Sequence, residues 1–362
     1  MSVSEQQVET AIKEIVDPNL EQDLVSAKCV KSTNISNGSV SVDVELGYPA
    51  KGYIDELTAL LKEKIQAIEG VTEAKINISS KIVSHTTQKG VKPIEGVKNI
   101  IAIASGKGGV GKSTTAVNLA LALQAEGANV GILDADIYGP SQPRMLGGNK
   151  KPESADGKSL EPVVQHGIQS MSIGYLIEEE TPMIWRGPMV TQALEQLLND
   201  THWHDLDYLI VDLPPGTGDI QLTLAQKVPV SGAVIVTTPQ DISLLDARRG
   251  LKMFDKVEVK VLGIVENMSI HICSNCGHEE HIFGAGGGGR LADDENVALL
   301  GALPLDKQIR EQVDGGNPTV AADPDGRISQ IYRGIARRVA AKLALTAKDH
   351  STKFPTIVIQ NN

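Results

Sequence analysis

Nine residues constrain this chain most: Gly106-Lys107-Gly108-Gly109-Val110-Gly111-Lys112-Ser113-Thr114. They lie between an apolar run, IIAIA (100–104), and an Ala/Leu-rich segment of helical character, 113–126. The pattern G-x-x-x-x-G-K-[ST] between a strand and a helix reads as a phosphate-binding loop. Its glycines let backbone N–H groups turn toward phosphate oxygens with no Cβ in the way. The helix that begins near Lys112 directs its positive end at the same place. Lys112 then reaches the β- and γ-phosphates, and the Ser113 hydroxyl ligates Mg²⁺. Residues Gly106 to Thr114 are therefore the candidate nucleotide-binding residues. The competing reading is a glycine-rich turn that holds no ligand.

Further short apolar runs follow: NVGILD (129–134), DYLIVD (207–212), GAVIVT (232–237), KVLGIV (260–265) and VALLGAL (297–303). Helix-like segments at 189–199 and 241–254 separate some of them. Apolar strands alternating with helices predict an α/β fold, a mostly parallel sheet covered by helices. Only 3% of the residues are aromatic, so this core is built from Ala, Val, Ile and Leu, which suits such a sheet. Before it, residues 3–16 read as a helix, 28–46 as two strands joined at Asn37-Gly38, 53–68 as a helix and 72–82 as a strand. The expected organisation is a small α+β domain (1–83), a linker (84–98), the nucleotide-binding domain (99–350, closed by a helix at 326–345) and a tail (351–362).

Charge and cysteine usage narrow the function classes. The net charge is −11, with no basic stripe, which argues against nucleic acid and anionic membranes as partners. No apolar run approaches the ~20 residues that span a bilayer, and Met1 to Thr10 is polar rather than signal-like. The expected compartment is the cytoplasm. Three cysteines in 362 residues are no disulfide framework. Cys29 sits in an apolar run and reads as a core residue.

Carboxylates end two of the strands. Ligands of open α/β sheets bind at the carboxyl ends of strands. Asp134 and Asp136 (LDAD) and Asp212 (YLIVD) are thus candidates for holding Mg²⁺ and orienting the attacking water. An acid after four apolar residues, as at Asp212, is the Walker B pattern. The following Leu213 to Asp219 segment (LPPGTGD) reads as a switch loop that senses the γ-phosphate. The bland readings are a helix N-cap pair for Asp134 and Asp136 and a structural acid for Asp212.

Cys273 and Cys276 form a C-x-x-C knuckle inside His271-Ile-Cys-Ser-Asn-Cys-Gly-His278-Glu-Glu-His281. Three readings compete. Zinc would take both thiolates and two of His271, His278 and His281. A dithiol redox pair would need a thioredoxin-like βαβ setting. An iron–sulfur cluster generally takes four thiolates, so two chains would have to share it across a symmetry axis.

The loop with its second lysine, Lys107, resembles the deviant Walker A loop of the family that includes nitrogenase iron protein and the septum-site and partition ATPases. That resemblance implies a homodimer in which Lys107 reaches the partner's nucleotide, so Lys107 is a catalytic candidate. It also implies Asp136 for water activation, Asp134 for the magnesium shell, and Asn267 for hydrogen bonding adenine, hence ATP. ILDADIYGPS (132–141), WRGPMV (185–190), YLIVDLPPGTGD (208–219), TTPQ (237–240), ENMS (266–269), the C-x-x-C and FGAGGGG (283–289) together resemble the Mrp/ApbC family of iron–sulfur cluster carrier ATPases. The N-terminal unit is similar to the small domain of these carriers and of other assembly factors. It departs from them in having no cysteine within Leu46-Gly-Tyr-Pro-Ala50. The resemblance implies a dimer that holds a 4Fe–4S cluster between its chains at Cys273 and Cys276, hydrolyses ATP slowly, receives clusters from an assembly scaffold and passes them to recipient apoproteins. The rival is a zinc-stabilised regulatory or positioning ATPase of the septum-site type. The role of the Gly284–Gly289 run is open.

Overall fold

The computed structural model describes residues 3–88, 90–148, 150–154, 157–177, 187–273 and 275–347. The tail and Trp185-Arg186 of the WRGPMV segment lie outside the described residues.

The N-terminal unit runs α1 (Glu5–Lys13), β1 (Val30–Ser36), β2 (Ser39–Leu46), α2 (Ile54–Gln66), β3 (Glu73–Ser80). Ser4 starts α1 with a capping box closed by Gln7, satisfying two N–H groups that the helix leaves open. Asn37 and Gly38 both have positive φ and turn β1 back on β2 as an antiparallel hairpin, the type I′ geometry that Asn-Gly favours. β2 alternates between buried and half-buried residues, so one face packs on the helices. β3 adds in parallel, which requires the crossover through α2. Cys29 is buried in this core.

The second unit is built on β4 (Val97–Ala104), α3 (Lys112–Ala125), β5 (Val130–Asp134), β6 (Val163–Gln165), β7 (Ile168–Ser172), α4 (Gly187–Asn199), β8 (Leu206–Asp212), α5 (Asp219–Lys227), β9 (Gly232–Thr237), α6 (Asp241–Lys256), β10 (Val261–Glu266), α7 (Gly287–Asp294), β11 (Leu299–Ala302), α8 (Lys307–Asp314) and α9 (Arg327–Ala344). Its sheet has eight strands in the order β11-β10-β9-β4-β8-β5-β7-β6. All pairings are parallel except the β6–β7 edge hairpin. One apolar core lies on each face of the sheet. Strands buried on both faces read as unbroken apolar runs, which is why β4, β5, β8, β9 and β10 stand out in the sequence. The hairpin β6–β7 does not: its strands have three and five residues.

The small unit is welded to the larger one. Its buried residues and those of α3 and α9 belong to one continuous apolar core. At the junction, Glu126, which caps the C-terminus of α3, is fully buried and accepts from Arg333 Nε (2.7 Å) and Arg337 Nη1 (2.8 Å). It also accepts from the Gly52 N–H (2.9 Å). An acid at a helix C-terminus opposes the helix dipole; here the two guanidinium groups offset it. Breaking such a buried pair from one side costs about 3–5 kcal/mol. The 84–98 segment is also held down. His85 Nδ1 lies 3.0 Å from Asn99 Oδ1, and the Gln88 side chain bonds Ala225 O and the Val230 N–H.

Candidate nucleotide and thiol sites

The loop from Ser105 to Gly111 follows the C-terminal end of β4, the central strand of the sheet, and turns into α3. Gly111 caps α3 at φ 80°, a left-handed backbone that suits glycine. A Cβ at Gly106 would fall 2.2 Å from the Asp246 carbonyl carbon, so only glycine lets the loop lie against α6. Among the described residues, no backbone N–H from Lys107 to Ser113 is engaged by another part of the chain. Those donors remain available for an anion at the helix N-terminus.

Lys112 is 6% exposed, and its ammonium pairs with Asp212 and lies 3.1 Å from Ser113 Oγ. Asp212 and Asp134 are register partners at the ends of the adjacent parallel strands β8 and β5. Both are fully buried. Burial first, and the Asp212 charge second, push the Asp134 carboxyl up to about 7. Asp134 accepts from the N–H groups of Asp136 (3.1 Å), Ser141 (2.9 Å) and Gln142 (3.0 Å) and from Ser172 Oγ (3.2 Å). It therefore organises the 135–142 loop. Asp136 stands on that loop, half-buried, with its carboxyl raised chiefly by burial.

Gln142 escaped sequence reading. It is fully buried and donates from Nε2 to Asp212 Oδ2 (2.9 Å) and to Ser113 O (3.2 Å). Its Oε1 is buried without a partner among the described residues. A lone glutamine carries no chemical signature until the fold sets it beside a carboxylate. The switch-like loop reaches the same place: the Gly216 N–H donates to Ser105 O (3.0 Å).

Lys107 is half-buried, and among the described residues its ammonium makes no ion pair. Asn267 is 8% exposed and donates from Nδ2 to Val110 O (2.8 Å). Beside it a cavity of about 220 Å³ is lined by Gly111, Thr114, Asn267, Met268, Pro304 and Ile309.

From Asn267 the chain runs straight to the thiols. Leu303 N–H donates to Glu266 O (2.8 Å), Ser269 N–H to Leu303 O (2.9 Å) and Leu305 N–H to Ile270 O (2.8 Å). This ladder zips 266–270 to 303–305 and delivers the ribbon His271–Ile272 with Glu279–Glu280. Cys273 is half-buried and Cys276 exposed at its tip. The Cys276 and Asn275 N–H groups hold the Cys273 thiol below its ordinary pKa, which favours the thiolate that binds metal. His271 Nδ1 lies 3.1 Å from Leu305 O and His281 Nδ1 lies 2.7 Å from Ser269 O, bonds that orient each ring and leave its Nε2 outside them. Among the described residues, no His, Asp or Glu completes a three-ligand group with the two thiols.

The Gly284–Gly289 run is a close-packing helix start. Gly286 caps α7 at φ 65°, and a Cβ on Gly288 would meet Glu266 at 2.9 Å.

A parallel α/β sheet with this loop at its centre, two strand-end carboxylates and a buried loop lysine paired with one of them defines a P-loop nucleoside-triphosphatase fold. The family model described as NUBPL iron-transfer P-loop NTPase matches residues 96–340, and that of an iron-sulfur cluster assembly protein matches 5–77. The chain belongs to this iron-transfer P-loop NTPase family, in line with the resemblance read from its motifs. It is 52% identical over 327 residues to the iron-sulfur cluster carrier protein of Escherichia coli (strain K12), spanning 90% of this chain and 89% of that one. Among solved structures it is similar to a nucleotide-binding protein of Archaeoglobus fulgidus in complex with ADP, which has cobalt, with 36% identity, a TM-score of 0.57, and 66% and 93% of the two chains covered. The cell division ATPase MinD of Pyrococcus furiosus, at 22% identity, TM-score 0.50 and 67% and 98% coverage, shares the fold alone. Among the described residues, no helix is long and apolar enough to cross a membrane.

Proposed function

We propose that this protein is an ATP-driven carrier of iron–sulfur clusters that works as a homodimer in the cytoplasm. Each chain contributes Cys273 and Cys276 to one 4Fe–4S cluster, the cargo, and the dimer passes it to recipient apoproteins. The observation that carries this reading is the zipped segment between Asn267 and Cys273. It joins a residue bonded to the P-loop to a thiol pair that has only two ligands of its own. A four-thiolate cluster then needs a second chain, and Lys107, placed on the loop without an ion-pair partner, is the residue to reach across.

In this reading Gly106 to Thr114 hold the phosphates, Asn267 and its cavity the adenine, and Ser113 and Asp212 the Mg²⁺. The buried acceptor on Gln142 suits that cation's surroundings, and Mg²⁺ supplies charge neutralisation at the phosphates. Lys112 leaves Asp212 for the phosphates. Asp134 acts from behind by fixing the loop that carries Asp136, which orients the attacking water. Moving Lys112 off Asp212 alters the contacts around β8, the P-loop and Asn267, and the zipped segment transmits the change to the thiols. Iron-sulfur cluster carriers at about half identity support the cargo.

The test is cluster transfer from loaded, anaerobic protein to an apoenzyme that gains activity on receiving a 4Fe–4S cluster. Coupling between two sites typically amounts to 5–150-fold, so Mg–ATP is expected to change the initial transfer rate about fivefold or more. Equal rates with and without nucleotide would sink the coupling.

A further inference from the structure

We propose a second metal site, for one borderline divalent cation of the zinc class, formed by Glu161, His202 and His204. It lies at the N-terminal end of β8, roughly 20 Å from the nucleotide end of that strand at 3.3 Å per residue. It is separate from both the P-loop and the thiols.

The three ligand atoms already converge. His202 Nδ1 lies 3.1 Å from Glu161 Oε1, and His204 Nε2 lies 2.8 Å from Glu161 Oε2. All three lie within 4.8 Å of one another, and this is the only such group among the described residues. A zinc ion with bonds of about 2.1 Å holds tetrahedral ligands about 3.4 Å apart, so small rotations of three side chains close the site. Neutral imidazoles need lose no net proton, because each ring can move its hydrogen to the other nitrogen. Two imidazoles and one carboxylate leave coordination positions for water, a donor set suited to zinc and its neighbours.

The backbone beneath the ligands is fixed. Trp203, between the histidines, is buried and donates from Nε1 to Leu198 O (3.1 Å), so its neighbours are turned outward together. The Gln169 side chain clamps His204, accepting from its N–H (3.0 Å) and donating to its O (2.8 Å). The His202 N–H donates to Leu160 O (2.9 Å), and the Leu160 N–H to Asp200 O (2.8 Å), which locks the segment before Glu161 to the histidine segment. Such preorganisation removes ordering cost from binding. The ligands are 42%, 63% and 52% exposed, so a cation enters from water.

The test uses the full chain with Cys273→Ser and Cys276→Ser, nucleotide-free, so that the thiols take no part. Calorimetric titration with ZnCl₂ is expected to saturate at one zinc per chain. His202→Ala, His204→Ala or Glu161→Ala is expected to weaken binding on the order of ten- to a hundred-fold, with unchanged melting in the absence of metal. Co²⁺ is expected to give weak visible bands without thiolate charge-transfer absorption. Absence of saturable zinc binding would overturn the proposal, as would binding that survives all three substitutions or that is lost only with His271→Ala or His281→Ala. Neither result bears on cluster carriage, which a background without Cys273 and Cys276 cannot perform.

Discussion

Cys273→Ala abolishes cluster binding: reconstituted protein is expected to show no broad visible absorption and only background iron and sulfide. The reason is stoichiometric. A dimer of the variant offers two thiolates where a 4Fe–4S cluster takes four. Cys273 is also the thiol whose charge the knuckle N–H groups stabilise, so its loss removes the better-prepared ligand. Nucleotide affinity is expected to stay within about twofold, since the backbone ladder between 266–270 and 303–305 and the His271 and His281 bonds are left in place by the substitution. Visible spectroscopy and a nucleotide titration on the same sample check both. A variant that retains its cluster would reassign the ligands.

Lys112→Ala is expected to cost at least about thirtyfold in ATP affinity. A buried, charge-assisted bond to phosphate is lost, and truncating one partner of such a pair costs about 2–5 kcal/mol. The free protein is disturbed as well. Asp134 and Asp212 are register partners with no exposure to water, and Lys112 is the cation paired with Asp212. Without it, the Asp134 carboxyl, which burial and the Asp212 charge already raise, loses the nearby cation that opposes them and is pushed up further. Calorimetric titration with Mg–ATP, beside a thermal melt, separates lost binding from lost folding. Affinity within threefold of wild type, in a folded variant, would remove Lys112 from the phosphate site.

Much of the fold is legible along the chain because the physics is local. GAVIVT is strand β9 end to end, since an apolar run closed by one threonine in a sheet buried on both faces needs no partner to be recognised. Asn37-Gly38 is a turn for reasons internal to two residues. The β6–β7 hairpin is less visible: it turns at His166-Gly167, both at positive φ, and its strands are too short to show a period. α5 and α8 pass unnoticed because their polar faces dilute the apolar positions.

The site divides the same way. Residues 106–114 declare a phosphate loop because spacing and residue type are the chemistry. The roles of Asp134 and Gln142 do not, since they depend on which strands lie side by side. β5 and β8 are more than seventy residues apart, and only their pairing sets Asp134 against Asp212. Glu126 and its two arginines are separated by about two hundred residues and meet only when α9 crosses the end of α3. The competing zinc reading of the cysteine knuckle was open in one dimension. The family match and the cluster-carrier relatives, not the geometry of the knuckle, favour the cluster over it.

The central claim is that two chains share one cluster through Cys273 and Cys276. Anaerobic purification with iron and acid-labile sulfide analysis, joined to mass measurement under non-denaturing conditions, tests it most directly. The expected result is about four irons and four sulfides per two chains, with Mössbauer parameters of a 4Fe–4S cluster. Absence of acid-labile sulfide, or a cluster that stays with a single chain, would contradict it.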